Sequence, residues 1–412
     1  MSKLVDWMQN TALPKINKIG SNKYLSATRD GIVAIIPFMM ISSFATLITS
    51  FPSDAWKAFI APCADKITAL GTAASGFISI IAVVSIAYQF AKYFEVKEIT
   101  TGFIALISFV VTQTTADGIN TANFGTGGLF LAILVAIVSE KIVELFTKKN
   151  WQIKLPESVP TMVYDSFAAL LPAVASVLLF WLISQVLGID LNSIISTICS
   201  PLVKGLDSWG GTMVVILIST ILWCCGINET VISGVTYPVW YALLAENTAL
   251  LEAGEAVTHL GGYGWQYFGF WMGGTGGTIG LLILMLLSKS KEYKTLGQLS
   301  TAPVIFQINE PIAFGFPICF NPIMCIPYVL VPLVTTSVYF LAISLGLCNG
   351  ACVSIPWTTP LFLNAYLVTG GDWRAIIVQL INIVISIVIY YPFFKYSEKQ
   401  SIKREQESAT AE

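Results

Sequence analysis

Residues 128–146 read GLFLAILVAIVSEKIVELF, and this stretch decides the fold class. It is apolar for long enough to cross a bilayer core, which takes about 17 to 25 helical residues. A strand of a transmembrane barrel would instead alternate apolar and polar residues over about 10 positions, and this segment does not alternate. Working outward, 55% of the 412 residues are apolar and 11% are charged, and the charges crowd between apolar runs of similar length. A soluble domain has no use for so much apolar surface. The solvent for most of it is therefore lipid, and the expected fold is an all-α membrane protein.

Ten crossings can be drawn, at 29–50, 76–92, 99–115, 127–147, 166–188, 211–227, 230–247, 267–288, 323–347 and 373–394. Lysine and arginine test their orientation, because cytoplasmic loops carry the excess of both. Placing the N-terminal arm (Lys3, Lys15, Lys18, Lys23, Arg29) inside puts Lys92 with Lys97, Lys148 with Lys149 and Lys154, Lys289 with Lys291 and Lys294, and Lys395 with Lys399, Lys403 and Arg404 on the same side. Both termini are then cytoplasmic. The first run has no small-residue cleavage site and is expected to be retained as a span. Between the fifth and sixth crossings, Leu191, Ile194, Ile195, Ile198, Leu202 and Leu206 form one helical stripe, the pattern of an interfacial amphipathic helix. This connector, 191–210, divides an N-terminal half (1–190) from a C-terminal half (211–396), and the polar tail 397–412 is expected to be disordered.

Two apolar stretches cannot be ordinary spans. Residues 301–322 hold Pro303, Pro311, Pro317 and Pro322, with Gln307, Asn309 and Glu310 at the middle, and residues 348–372 contain Pro356, Trp357, Thr358, Thr359 and Pro360 before Gly370 and Gly371. Proline removes helical hydrogen bonds, and counting either stretch as a crossing breaks the sidedness. Both are expected to be re-entrant hairpins, since broken backbone survives at membrane depth only beside protein or a wet cavity.

The hairpins carry the candidate chemistry. Glu310 is an acid among Phe306, Ile308, Ile312 and Phe314, and an intramembrane carboxylate is costly unless it meets a cavity or a partner. A buried acid that caps a broken helix is the structural alternative. Asn309 and Gln307 beside it supply amides suited to a polyhydroxyl solute. A second polar interruption, residues 223–230, contains Trp223, Asn228 and Glu229 and reads equally as a turn with Gly226 ending one helix and Asn228 capping the next. Trp357 could stack on a sugar ring, although anchoring at the membrane interface is the commoner use of tryptophan. Residues 273–278, GGTGGT, lack the lysine of a phosphate loop and point to close packing or backbone approach to a ligand. The single histidine, His259, reads as an exposed loop residue. Eight scattered cysteines show no metal-ligand spacing and are expected to be reduced. No cofactor or metal is expected, and a net charge of −2 without a basic patch argues against nucleic acid.

Several motifs together resemble the enzyme IIC permeases of the bacterial sugar phosphotransferase system, in the lactose/cellobiose/diacetylchitobiose branch. They are Leu13-Pro14-Lys15-Ile16, Ala27-Thr28-Arg29-Asp30-Gly31, Gln307-Ile308-Asn309-Glu310-Pro311-Ile312 with Phe314-Gly315, Asn321-Pro322, Pro356-Trp357-Thr358-Thr359-Pro360, Thr369 to Arg374 and Tyr390 to Lys395. The resemblance implies a homodimer of ten-helix protomers in the bacterial cytoplasmic membrane, with the N-terminal half at the dimer contact. The C-terminal half would hold a disaccharide and move as a unit. Phosphorylation would come from the phosphocysteine of a separate enzyme IIB, itself supplied by enzyme IIA. By motif, Asn309 and Glu310 would bind sugar hydroxyls, with Glu310 near the accepting one, and Trp357 would line the site beside Thr358, Gln307, Trp223, Asn228 and Glu229. Where the branch usually shows Gly-Ile-His-Gly, this chain has Gly226-Ile227-Asn228-Glu229. Asparagine cannot take a proton, so Glu229 or Glu310 is left as the base. The competing reading is an ion-coupled secondary sugar transporter with Glu310 as coupling carboxylate. An enzyme acting on lipid lacks a nucleophile and base pair here.

Overall fold

The computed structural model describes residues 22–49, 54–115, 117–151, 153, 156, 167–316, 318–319 and 321–411. The N-terminal arm with Lys3, Lys15 and Lys18, the motif 13–16, the ends of the first and fifth crossings at Ser50 and Ser166, Lys154 and Pro317 lie outside these residues. The described residues are mainly helical: α1 Lys23–Val33, α2 Ile36–Thr49, α3 Asp54–Ile60, α4 Ala64–Ser75, α5 Ile78–Tyr93, α6 Glu98–Thr112, α7 Leu129–Lys148, α8 Leu170–Trp181, α9 Leu191–Leu206, α10 Trp209–Cys224, α11 Thr230–Glu252, α12 Ile279–Leu286, α13 Lys291–Ile305, α14 Glu310–Gly315, α15 Pro322–Ser344, α16 Leu363–Val368 and α17 Arg374–Ala411. Among the described residues the only strands are Thr114–Thr115 and Gly118–Ile119, paired antiparallel.

Local chemistry sets the helix starts. Asn22 Oδ1 accepts from the Tyr24 N–H at 2.9 Å, Asp190 from Ser193, Ser208 from Gly211, Ser290 from Tyr293 and Asn321 from Ile323, each satisfying a first-turn donor that has no partner inside its helix. Among the described residues four helical stretches are long and apolar enough to cross a bilayer alone: 23–46, 64–93, 322–344 and 374–407. The fifth expected crossing, α8 with a π-helical turn at Leu182–Val186, bends by 93° into α9, the amphipathic stripe of the connector.

The second expected crossing matches α5, Ile78–Tyr93, to which α4, Ala64–Ser75, is joined across Gly76 and Phe77 to make the apolar stretch 64–93. Two expectations are corrected. The crossing at 267–288 is not a continuous helix, since only Ile279–Leu286 is regular and residues 269–278 run irregularly through left-handed glycines at 273, 274, 276 and 277. The polar tail is helical to Ala411, because its acids have partners: Glu398 accepts from Ser288 Oγ and Lys289 N–H, and Glu405 from Ser290 Oγ and Glu292 N–H.

Both proline-rich stretches fold back. α13 ends at Ile305, the chain reverses with Gln307 at φ 67°, and α14 returns. In the second stretch the Cys352 and Val353 N–H groups bond to the Val368 carbonyl, and the Leu361 N–H reaches the Ile305 carbonyl of the first. The buried core forms two clusters. One joins the N-terminal helices to α11, to Tyr263–Phe270 and to part of the second folded-back stretch; the other gathers α12–α15 with the distal part of α17.

Candidate functional site

The site is assembled from four separate pieces of chain. At the α10–α11 junction Gly226 takes a φ of 74° and Asn228 Oδ1 accepts the Thr230 N–H at 2.9 Å, so the turn reading of this segment holds. It also delivers Glu229. The Trp223 indole N–H donates to Glu229 Oε2, and the Trp271 indole N–H donates to Oε1 at 3.2 Å, with the Thr275 hydroxyl 3.5 Å from the same oxygen. Both lone-pair edges of the carboxylate are thus engaged by donors that hydrogen-bond best to an anion.

The glycine-rich loop 273–278 is the second piece, and its backbone approaches protein. A side chain at Gly274 would collide with Asn309, and one at Gly276 with the Tyr328 ring. Asn309 Nδ2 donates to the Thr275 carbonyl at 2.6 Å and to Thr278 Oγ1 at 3.1 Å, while Gln307 Oε1 accepts the Gly273 N–H at 2.8 Å and its Nε2 reaches the Thr359 carbonyl at 3.2 Å. Gln307 and Asn309 are buried, so their amides tie the reversal at 306–309 to the loop and to the second folded-back stretch. Glu310, the next residue, is exposed. Trp357 is 51% exposed and Thr358 partly buried, while Phe314 sits with its ring centroid 6.5 Å from that of Trp223.

Of the residues expected at the site, the structure joins Trp223, Glu229, Gln307 and Asn309 through one hydrogen-bonded set and leaves Asn228, Glu310, Trp357 and Thr358 outside it. It adds Trp271, Thr275 and Thr278, which sequence reasoning missed. The signal was the polar glycine run inside an apolar stretch, where hydroxyls have little reason to stand. A cleft of about 560 Å³, bordered by Lys92, Lys97, Glu98 and Pro172, lies away from these residues.

His259 corrects its reading as a lone surface residue. Its Nδ1 is 2.8 Å from Asp207 Oδ2 and its Nε2 2.9 Å from Glu246 Oε2. Hydrogen bonds to these two carboxylates push its pKa up to about 10. Asn247 accepts from the His259 N–H and donates to the His259 and Ala351 carbonyls, which fixes this loop to the second folded-back stretch.

A bundle of apolar helices that presents an acid, Glu229, framed by two indoles beside a glycine- and threonine-rich loop has the form of a membrane permease for a polar, hydroxyl-rich solute. The family described as "Phosphotransferase system, EIIC" matches residues 29–332. The lichenan permease IIC component of Bacillus subtilis is 33% identical, with 99% of this chain aligned to 96% of that protein. The lactose-specific EIICB component of Staphylococcus epidermidis is 29% identical, with 98% of this chain aligned to 72% of that longer protein. The crystal structure of the transporter ChbC, the IIC component of an N,N'-diacetylchitobiose-specific phosphotransferase system, superposes with a TM-score of 0.93 at 32% identity, covering 97% of this chain and 99% of that one. The chain belongs to the EIIC family of the phosphotransferase system. It is an integral membrane sugar permease that works with an EIIB component, and nothing in the comparisons supports the ion-coupled alternative.

Proposed function

We propose that the chain carries a β-linked disaccharide of the cellobiose, diacetylchitobiose or lactose type across the bacterial cytoplasmic membrane and holds it for phosphorylation by phosphorylated EIIB, recharged by EIIA. Sugar specificities in the names of its relatives support this class of substrate. The observation that carries the reading is the enclosure of Glu229 by the Trp223 and Trp271 indoles, with Glu310 on the short helix whose Phe314 ring stands 6.5 Å from that of Trp223. Carboxylates accept from sugar hydroxyls, and indoles offer both a flat apolar face and an N–H. Glu310, on the exposed side, takes the proton of the reacting hydroxyl. Asn228, Trp357 and Thr358 complete the sugar site, while Gln307 and Asn309 touch the sugar at one edge and position the glycine loop.

The two folded-back stretches act as re-entrant hairpins within a ten-crossing protomer, both termini face the cytoplasm, and a homodimer forms through the N-terminal half against lipid. Glu310→Gln tests the assignment. In vesicles supplied with phosphorylated EIIB, uptake should fall by roughly two orders of magnitude, the usual loss when a general base is removed. Undiminished uptake rejects the role of Glu310.

A further inference from the structure

Arg29 lies on α1 one turn beyond Leu25. The Leu25 carbonyl is packed so closely against Gly234 of α11 that any side chain at 234 would strike it. Continuing that register one turn sets Arg29 at the level of Tyr237, whose ring packs edge-on against Tyr263 at 5.9 Å between centroids, and Tyr263 packs in turn against Trp271 of the site at 5.8 Å. A cation from the N-terminal part of the chain therefore stands beside a site whose own ionisable groups, Glu229 and Glu310, are acids.

The guanidinium is held in place. Asp30 Oδ1 accepts from Arg29 Nε and Nη2, each at 2.7 Å, and Asp30 Oδ2 accepts the Tyr93 hydroxyl at 2.9 Å. Lys23 in turn donates to the Tyr93 carbonyl at 2.9 Å. One edge of the fork is thus spent on Asp30. Nη1 has no part in that pairing, and the side chain remains 26% exposed. Two carboxylates repel an incoming phosphoryl dianion, and phosphoryl transfer depends on positive charge placed where the transferring oxygens will sit. A guanidinium suits those oxygens in shape as well as in charge.

We propose that Arg29 binds the phosphoryl group during its transfer to the sugar, an assignment that rests on the phosphotransferase reading above. The sugar hydroxyl oxygen attacks phosphorus and a P–O bond forms. The P–S bond of the EIIB phosphocysteine breaks, and the thiolate leaves with the electron pair. The hydroxyl proton passes to the Glu310 carboxylate, and Arg29 pairs with the phosphoryl oxygens from the opposite wall. Because α1 belongs to one buried core and Glu310 to the segment built on the other, this contact needs both to be brought together.

The test compares wild type, Arg29→Gln and Arg29→Lys as purified full chains. Isothermal titration would follow a β-linked disaccharide and its phosphate monoester, and steady-state phosphorylation would use phosphorylated EIIB. Arg29→Gln should hold the disaccharide with an affinity within about twofold of wild type, yet lose roughly tenfold or more in affinity for the phosphate ester and in kcat, with the KM for sugar unmoved. Arg29→Lys should recover part of both. Ester binding and kcat equal to wild type overturn the proposal, and so does an equal loss for sugar and ester, which marks a structural role. A wild type that neither binds disaccharide nor phosphorylates it brings down the functional reading itself, whereas a normal wild type matched by Arg29→Gln removes Arg29 alone.

Discussion

Glu229 has two possible uses, and its surroundings frame the test between them. Indole N–H groups from Trp223 and Trp271 meet its two oxygens, so the carboxylate could serve only to hold two aromatic walls apart. It could also accept from a sugar through its remaining lone pairs, in a chain where the neighbouring Asn228 cannot act as a base. Glu229→Gln separates the uses, because an amide keeps one acceptor but turns an NH₂ towards an indole donor. Hydrogen bonds to a charged group contribute about 1.5–3 kcal/mol, so disaccharide affinity should fall by roughly tenfold to a hundredfold. Titration monitored by tryptophan fluorescence reads both the affinity and the displacement of the indoles. An affinity within twofold of wild type, with altered fluorescence, would leave Glu229 as a clamp only.

At the scale of elements, the legible features were those that break a local rule. Four prolines and three polar side chains within 301–322 announced an interrupted helix, and the interruption falls between Ile305 and Glu310, where Gln307 takes a left-handed φ of 67°. The stripe on α9 was similarly open to inspection, because it depends on spacing along one segment. The sequence hid what depends on partners distant along the chain. Asn309 meets Thr275 and Thr278 across more than thirty positions, and the acids of the C-terminal tail looked like solvated residues until their acceptor roles towards Ser288 to Glu292 were seen. His259 was misread for the same reason, since Asp207 lies 52 positions away. Its ion pairs join the α9–α10 corner to the end of α11, and they carry a pH signature. The folded-state pKa, about 10, is above the ordinary value of about 6.5. The stabilisation is therefore complete below about pH 6.5 and is lost as the pH rises through about 10. Thermal unfolding in detergent should show wild type more stable than His259→Gln at pH 6, with the difference shrinking steadily towards pH 10.5. A difference that is constant across this range would show that the pairing contributes nothing through the histidine charge.

For the whole molecule, the longest helix sets a length that the bilayer cannot contain. α17 has 38 residues, about 57 Å at 1.5 Å per residue, whereas the hydrocarbon core is about 30 Å thick. With Arg374 at one boundary, the last several turns must stand beyond the other. Those turns hold Glu398 and Glu405 against the α12–α13 corner, and Ser290 of that corner caps α13 through the Tyr293 N–H. α13 ends at Ile305, immediately before the reversal that places Gln307, Asn309 and Glu310. The extension therefore braces the base of the helix on which the site is built, at a distance from the sugar itself. Removing residues 397–412 takes away the acceptors for two serine hydroxyls and two backbone donors, and it unclamps the start of α13. The unfolding midpoint of the truncated protein should fall by a few degrees, while disaccharide affinity, which the proposal assigns to Glu229, Glu310 and the indoles, should stay within about threefold. Hydrogen exchange should rise at 288–296 and not at 306–310. Faster exchange confined to 306–310, or a sugar affinity that collapses with an unchanged midpoint, would mean that the extension acts on the site directly and not through the stability of α13.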